Sequence, residues 1–131
     1  MNELIFPYAF IRESPYPIIP IIVKRGALKL RTSALVDSGA SISVFQENIA
    51  EFFGIKIEEG EKKIFQGVKG KIIAYVHKLN VEVEGVEFPC KIAFSREMTT
   101  SLNILGRDDF FSYFLITFDE INKRLKMVYL K

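Results

Sequence analysis

Asp37, Ser38 and Gly39 interrupt an apolar run, Ala34-Leu35-Val36, and the chain turns apolar again at Val44 and Phe45. All three are poor strand formers, so between two strand-like runs they mark a tight loop whose polar groups face a cleft. A carboxylate placed there is a candidate general acid or base. The triplet Asp-Ser/Thr-Gly occurs once in the chain.

Other residues capable of chemistry are few. His77 is the single histidine and lies in an alternating strand beside Val76 and Lys78, where a solvent-facing or hydrogen-bonded strand residue is the simpler reading than a metal ligand or base. Cys90, the only cysteine, follows Pro89 in a similar pattern and reads as a small buried hydrophobe. The acidic run Glu58-Glu59-Gly60-Glu61 adjoins Lys62 and Lys63 and reads as a solvated charged loop. No metal site or organic cofactor is expected.

These residues must be positioned by a modest framework. The chain has 131 residues, 49% of them hydrophobic, and no Pro-, Gly- or Ser-rich linker divides it, so residues 1–131 are expected to form one domain. Its 18 Lys and Arg mix with 16 Asp and Glu for a formal charge of +2, without the one-sided basic stripe that attracts phosphate backbones. Nucleic acid is therefore not an expected partner. A lone cysteine points to the cytoplasm. Arg12, Glu13 and the prolines at 7, 15, 17 and 20 break the apolar N-terminus before a secretory core could form, and no run approaches the length needed to span a membrane.

Period-two patterns dominate, which predicts a mainly β protein. Ile18 to Val23 and Ala27 to Val36 read as strands joined by a turn at Lys24-Arg25-Gly26. Gln46 to Phe53 places Ile49, Phe52 and Phe53 at helical spacing, with Gly54 as a stop signal. Residues 62–94 read as long strands with hairpin turns around Gln66-Gly67-Val68-Lys69-Gly70 and at Glu84-Gly85. Ser95 to Ser101 is a loop, Leu102 to Leu105 an apolar strand ending in Gly106, Asp108 to Phe111 a helical turn, and Phe114 to Leu130 a final hairpin.

Leu35-Val36-Asp37-Ser38-Gly39-Ala40 and Asn103-Ile104-Leu105-Gly106-Arg107 together resemble the paired signatures of retropepsin-like aspartic proteases, and the glycine-flanked hairpin between them matches the position of that family's flap. The resemblance covers roughly residues 18–118. It implies an all-β, retropepsin-like acid-protease barrel with one or two short helices. It also implies a half-enzyme, since such chains supply one catalytic aspartate each and form a homodimer with the site on the twofold axis.

The resemblance implies a mechanism as well. Two carboxylates a few ångströms apart share one proton and titrate in two separated steps. The ionised one takes a proton from water as it attacks the scissile carbonyl, and the protonated one donates toward the oxyanion. By position in the motif, Asp37, Ser38 and Gly39 form the catalytic loop. Ser38, where most relatives have Thr, would bond across the dimer. Leu35, Ala40, Ser41, Val44, Leu102 and Ile104 would line subsites for an extended apolar peptide, beneath a flap built from Gly67, Val68, Lys69 and Gly70. Core packing is an equally available role for Leu102 and the simpler one for Val44.

Two departures from retroviral relatives stand out. Their arginine at the position of Arg107 pairs with an acidic residue where this chain has Ser41, so Arg107 is expected to bond to Asp108, Asp109 or backbone; Gly106 and Arg107 are structural neighbours of the site. Both termini are also longer, so that Pro7 to Pro20 and Phe114 to Leu130 either build a different dimer interface or cover the edge that dimerisation needs. An aspartic endopeptidase is the first reading of the chain, and a peptide-binding or dimerisation module on the same fold, with weak or no hydrolysis, is the alternative.

Overall fold

The computed structural model describes residues 3–67, 70–98 and 101–130. Strands β4 (Ile18–Arg25) and β5 (Leu28–Val36) form the first long hairpin, turning at Gly26 with φ +60°. Both strands alternate on one face. Ile19, Ile21 and Val23 point into the core with Ala34 and Val36, while Pro20 sits where β4 has only β5 beside it. Helix α1 (Glu47–Phe52) follows the short β6 (Ser43–Val44) and ends before Gly54 at φ +66°, as the stop signal predicts. Ile49, Ala50 and Phe53 are buried, whereas Phe52 is exposed: so short a helix has room for only one face against the barrel.

After a 3-10 turn at Ile57–Glu59 come β7 (Glu61–Gly67), β8 (Gly70–Val83) and β9 (Val86–Phe94). The length of β8 has a purpose. Its first part pairs with β7, from Gly67↔Gly70 to Glu61↔Val76, and its second with β9, from Tyr75↔Phe94 to Val83↔Val86. Glu84 and Gly85 turn the second hairpin, both at positive φ, the signature of a two-residue primed turn.

Then β10 (Asn103–Leu105) enters between β5 and β6, parallel to the first and antiparallel to the second. β9 pairs with β6 in parallel and β4 pairs with β8, so among the described residues six strands close into a barrel, with β7 outside the ring. Closure removes sheet edges. Helix α2 (Phe110–Tyr113) and β11 (Phe114–Asp119) seal the core against β9, with Phe88 stacked on Tyr113 and edge-on to Phe114.

The terminal strands pair within the chain. β1 (Glu3–Pro7) lies antiparallel to β12 (Arg124–Tyr129), which pairs with β11, giving a three-stranded sheet. Leu125 and Met127 are wholly buried beneath it. Between β1 and the barrel, β2 (Ala9–Ile11) and β3 (Ser14–Tyr16) make a small separate hairpin with Phe10 65% exposed. No helix among the described residues is long and apolar enough to cross a membrane.

Candidate active site

Asp37 follows directly on β5, and its main chain is tied on both sides. The N–H of Asp37 donates to the carbonyl of Leu105 at 3.0 Å, and one residue earlier the N–H of Val36 donates to Pro17 O at 2.9 Å. The loop then closes on itself, as Ala40 N donates to Asp37 O and Gly39 N donates to Asp37 Oδ1 at 2.9 Å. That last bond aims the carboxylate. A Cβ on Gly39 would stand 3.2 Å from Asp37 Oδ1, so a side chain there would crowd the group it orients.

The far side of the loop is laced to the segment after β10. Arg107 N donates to Ala40 O and Asp108 N to Ser41 O, both at 2.9 Å. Gly106 is squeezed between these strands: a Cβ would meet the carbonyl carbon and oxygen of Ile42 at 2.5 Å and Ala40 O at 2.9 Å. Below it, Ser43 is fully buried and its Oγ accepts the N–H of Gly106 at 3.0 Å. Asn103, also buried, donates through Nδ2 to Ser33 O and Thr32 Oγ1 and accepts the N–H of Gln46, joining β5, β10 and the start of α1. Spacing along the chain points to neither tie, and an amide inside the apolar run 102–105 is the one signal the sequence carries for Asn103.

The result is a half-buried Asp37 carboxylate on a rigid frame, with Ser38 and Gly39 exposed beside it. The Ser38 hydroxyl has no hydrogen-bond partner among the described residues. Leu35, Ile104 and Val44 stand abreast in register on three neighbouring strands, half-buried and on the face away from the core. Val44 packs on a small cluster of Ala74, Val76 and Ala93 with Phe65, the core-packing role that is the simpler one for it. Leu102 lies further along the same face and lines a cleft with Ile11, Arg12 and Tyr16 of the β2–β3 hairpin. Ala40 is half-buried and Ser41 exposed. Gly67 and Gly70 pair at the end of the β7–β8 hairpin, while Val68 and Lys69 lie outside the described residues.

The side chain of Arg107 departs from expectation. It is exposed and bonds neither to Asp108 nor to Asp109, because Lys91 engages both: its Nζ pairs with Asp108 at 3.3 Å, and its backbone N–H donates to Asp109 at 2.7 Å. Among the described residues, only the main-chain N–H of Arg107 joins the site. His77 Nε2 is bonded to Ile57 O at 2.9 Å, a strand residue holding the 3-10 turn. Glu58 of the acidic run pairs with Arg96, whose guanidinium holds its carboxyl below the usual range. Cys90 is fully buried, and burial pushes its thiol up to about 12.

A family model described as aspartyl protease matches residues 22–108, which span β5, the Asp37 loop, the β7–β8 hairpin and Gly106. Among solved structures the fold is similar to that of a retropepsin-like aspartic protease from Rickettsia conorii, with 20% identity and a TM-score of 0.68 over 98% of this chain and 90% of that one. At that identity the likeness shows the fold. No significant match to a curated protein was found.

Proposed function

The chain belongs to the aspartyl protease family and carries its retropepsin-like fold, and from that premise we propose that it is an endopeptidase acting as a homodimer through Asp37 of each subunit. The observation that carries this reading is the Asp37 loop: a half-buried carboxylate aimed by Gly39 N–H and framed by Leu105 and Gly106. A second copy brings the partner subunit's Asp37 opposite. Two adjacent carboxylates hold one proton between them. The ionised oxygen draws a proton from a water between them, the water attacks the scissile carbonyl carbon, and the protonated carboxyl donates to the carbonyl oxygen. Collapse of the tetrahedral adduct breaks the C–N bond and returns a proton to the amine.

Ser38 supplies the link between subunits. Its exposed hydroxyl, without a partner among the described residues, is free to bond to the opposing loop. Substrate lies extended along Leu35, Ile104 and Val44, with Leu102, Ala40 and Ser41 at the margins and the β7–β8 hairpin, through Gly67 and Gly70, above it. Main-chain bonds then supply affinity and the aliphatic row selects apolar side chains. The twofold interface differs from interleaved termini, because β1 and β12 already pair within one chain.

The test is hydrolysis of a mixed peptide pool across pH by wild type and Asp37→Asn, alongside sedimentation mass against concentration. Hydrolysis by wild type alone, with a dimer at the active concentrations, is the expected result. Equal hydrolysis by both proteins, or full activity in a strict monomer, overturns the proposal.

A further inference from the structure

We propose that Ser95 and Glu97 are positioning residues for the β7–β8 hairpin, clasping it at Ile73 and so setting how it stands over the Asp37 loop; this rests on the hairpin acting as the flap. Beyond Tyr75, which pairs with Phe94, β8 no longer has β9 beside it, and among the described residues β7 is the only strand partner of residues 70–74. A two-stranded ribbon is marginal in water. Something must hold its root.

At Ile73 the edge of β8 that β9 covers further along is taken by side chains of the segment leaving β9. Ile73 N donates to Glu97 Oε1 at 2.9 Å, and Ser95 Oγ donates to Ile73 O at 2.7 Å. Glu97 N donates in turn to Ser95 Oγ at 3.1 Å. These three bonds close a ring through both polar groups of one residue, and side chains replace the ladder bonds that another strand would make. Ser95 is 3% exposed, one of few buried polar side chains among the described residues.

The clasp is itself anchored. Arg96, between its two members, reaches back to Glu58 and Glu47, each at 2.6 Å, and so ties the segment to the 3-10 turn and to α1. On the substrate side Phe65 packs against Ala74, Val76 and Ala93. The hairpin is thus held from beneath by packing and at its edge by the clasp. The apolar contact tolerates sliding, whereas paired hydrogen bonds to one residue fix an angle. The clasp therefore marks the hinge, and its loss weakens peptide binding while leaving the carboxylate loop unaltered.

The experiment is native-state amide exchange on wild type, Glu97→Ala, Glu97→Gln and Ser95→Ala, with peptide kinetics on the same proteins. Glu97 is exposed, so its variants fold. Loss of a bond to a charged acceptor is expected to speed exchange at Ile73 and along β7 about tenfold or more, with Val81 and Ile92 unchanged. Glu97→Gln, which keeps an acceptor oxygen, restores protection. KM rises about tenfold in Glu97→Ala and Ser95→Ala while kcat stays within about twofold. Unchanged exchange at Ile73, acceleration spread evenly through the barrel, failure of Gln to rescue, or an unchanged KM overturns the clasp. Absence of hydrolysis in wild type overturns the protease reading instead, and the exchange arms still decide whether the clasp exists.

Discussion

The buried hydroxyl of Ser43 accepts the N–H of Gly106 at 3.0 Å, and that one bond joins the strand leaving the Asp37 loop to the strand that returns beside it. Ser43 Oγ also lies 3.8 Å from Cys90 Sγ, so the hydroxyl reaches from the loop frame to β9. The loop keeps its shape because these strands are fastened beneath it.

Ser43→Ala leaves a buried N–H without an acceptor, which costs about 1–3 kcal/mol. Urea unfolding is expected to show a lower midpoint with an unchanged slope. Ser43→Thr retains the acceptor and is expected to lose less.

Gly106→Ala introduces a methyl group 2.5 Å from the backbone of Ile42, where neither strand can yield without disturbing the Asp37 loop. Overpacking of this kind costs about 1–3 kcal/mol. Thermal melting measures the loss, and peptide hydrolysis is expected to fall more steeply than stability because the carboxylate shifts with the loop.

Asp37→Asn keeps a side-chain oxygen able to accept the N–H of Gly39, so the fold and the melting temperature are expected to remain. If Asp37 has the acid–base role proposed for it, hydrolysis is expected to fall by about 10²–10⁴-fold. Circular dichroism and a fluorogenic peptide assay on the same preparation check both halves of the prediction.

Cys90 is expected to resist alkylation in the native protein. Burial raises its thiol from the ordinary 9.0 to about 12, so little thiolate exists at neutral pH and none of the sulfur is accessible. Iodoacetamide labelling followed by mass spectrometry should give a single adduct only after denaturant is added; rapid labelling of the folded chain would contradict the burial.

Tyr8 fastens the chain after β1 to the β11–β12 turn. Its N–H donates to Lys123 O and its hydroxyl donates to Glu120 Oε2 at 2.7 Å. Burial first, then the bond to Glu120, raises its pKa from 10.0 to about 12. The folded state therefore keeps a proton that the unfolded chain has lost. The stabilisation is complete below pH 10 and declines as pH rises toward 12. The stability difference between wild type and Tyr8→Phe is expected to shrink across that window in denaturant melts.

Much of this was legible along the chain. Gly26, Gly54 and the Glu84-Gly85 turn mark ends that the chain makes for local reasons, since positive φ is cheap only for a few residue types. Period-two alternation in residues 18–36 and 72–94 identifies strands and their inward faces before any partner is known, and Asp37-Ser38-Gly39 with Gly106 marks the candidate site. What is local in sequence is encoded by local sterics and by which face is apolar.

Partnership between distant segments is another matter. Alternation assigns no neighbour, so the insertion of β10 between β5 and β6, the burial of Asn103 and Ser43 as cross-strand ties, and the pairing of β1 with β12 emerge only when the barrel closes. Arg107 followed the same logic: its neighbours in sequence were candidates, but Lys91 arrives from β9 to occupy both aspartates. Phe52 points outward because α1 has one face against the barrel and no second layer to cover the other. The sequence by itself determined the long strands from Ile18 onward, their turns and the carboxylate, whereas β1, β2 and β3 in the proline-interrupted N-terminal stretch carried no such signal. The tertiary structure decided what holds that carboxylate in place, because the hydrogen bonds that fix it come from residues far along the chain that meet only once the barrel is closed.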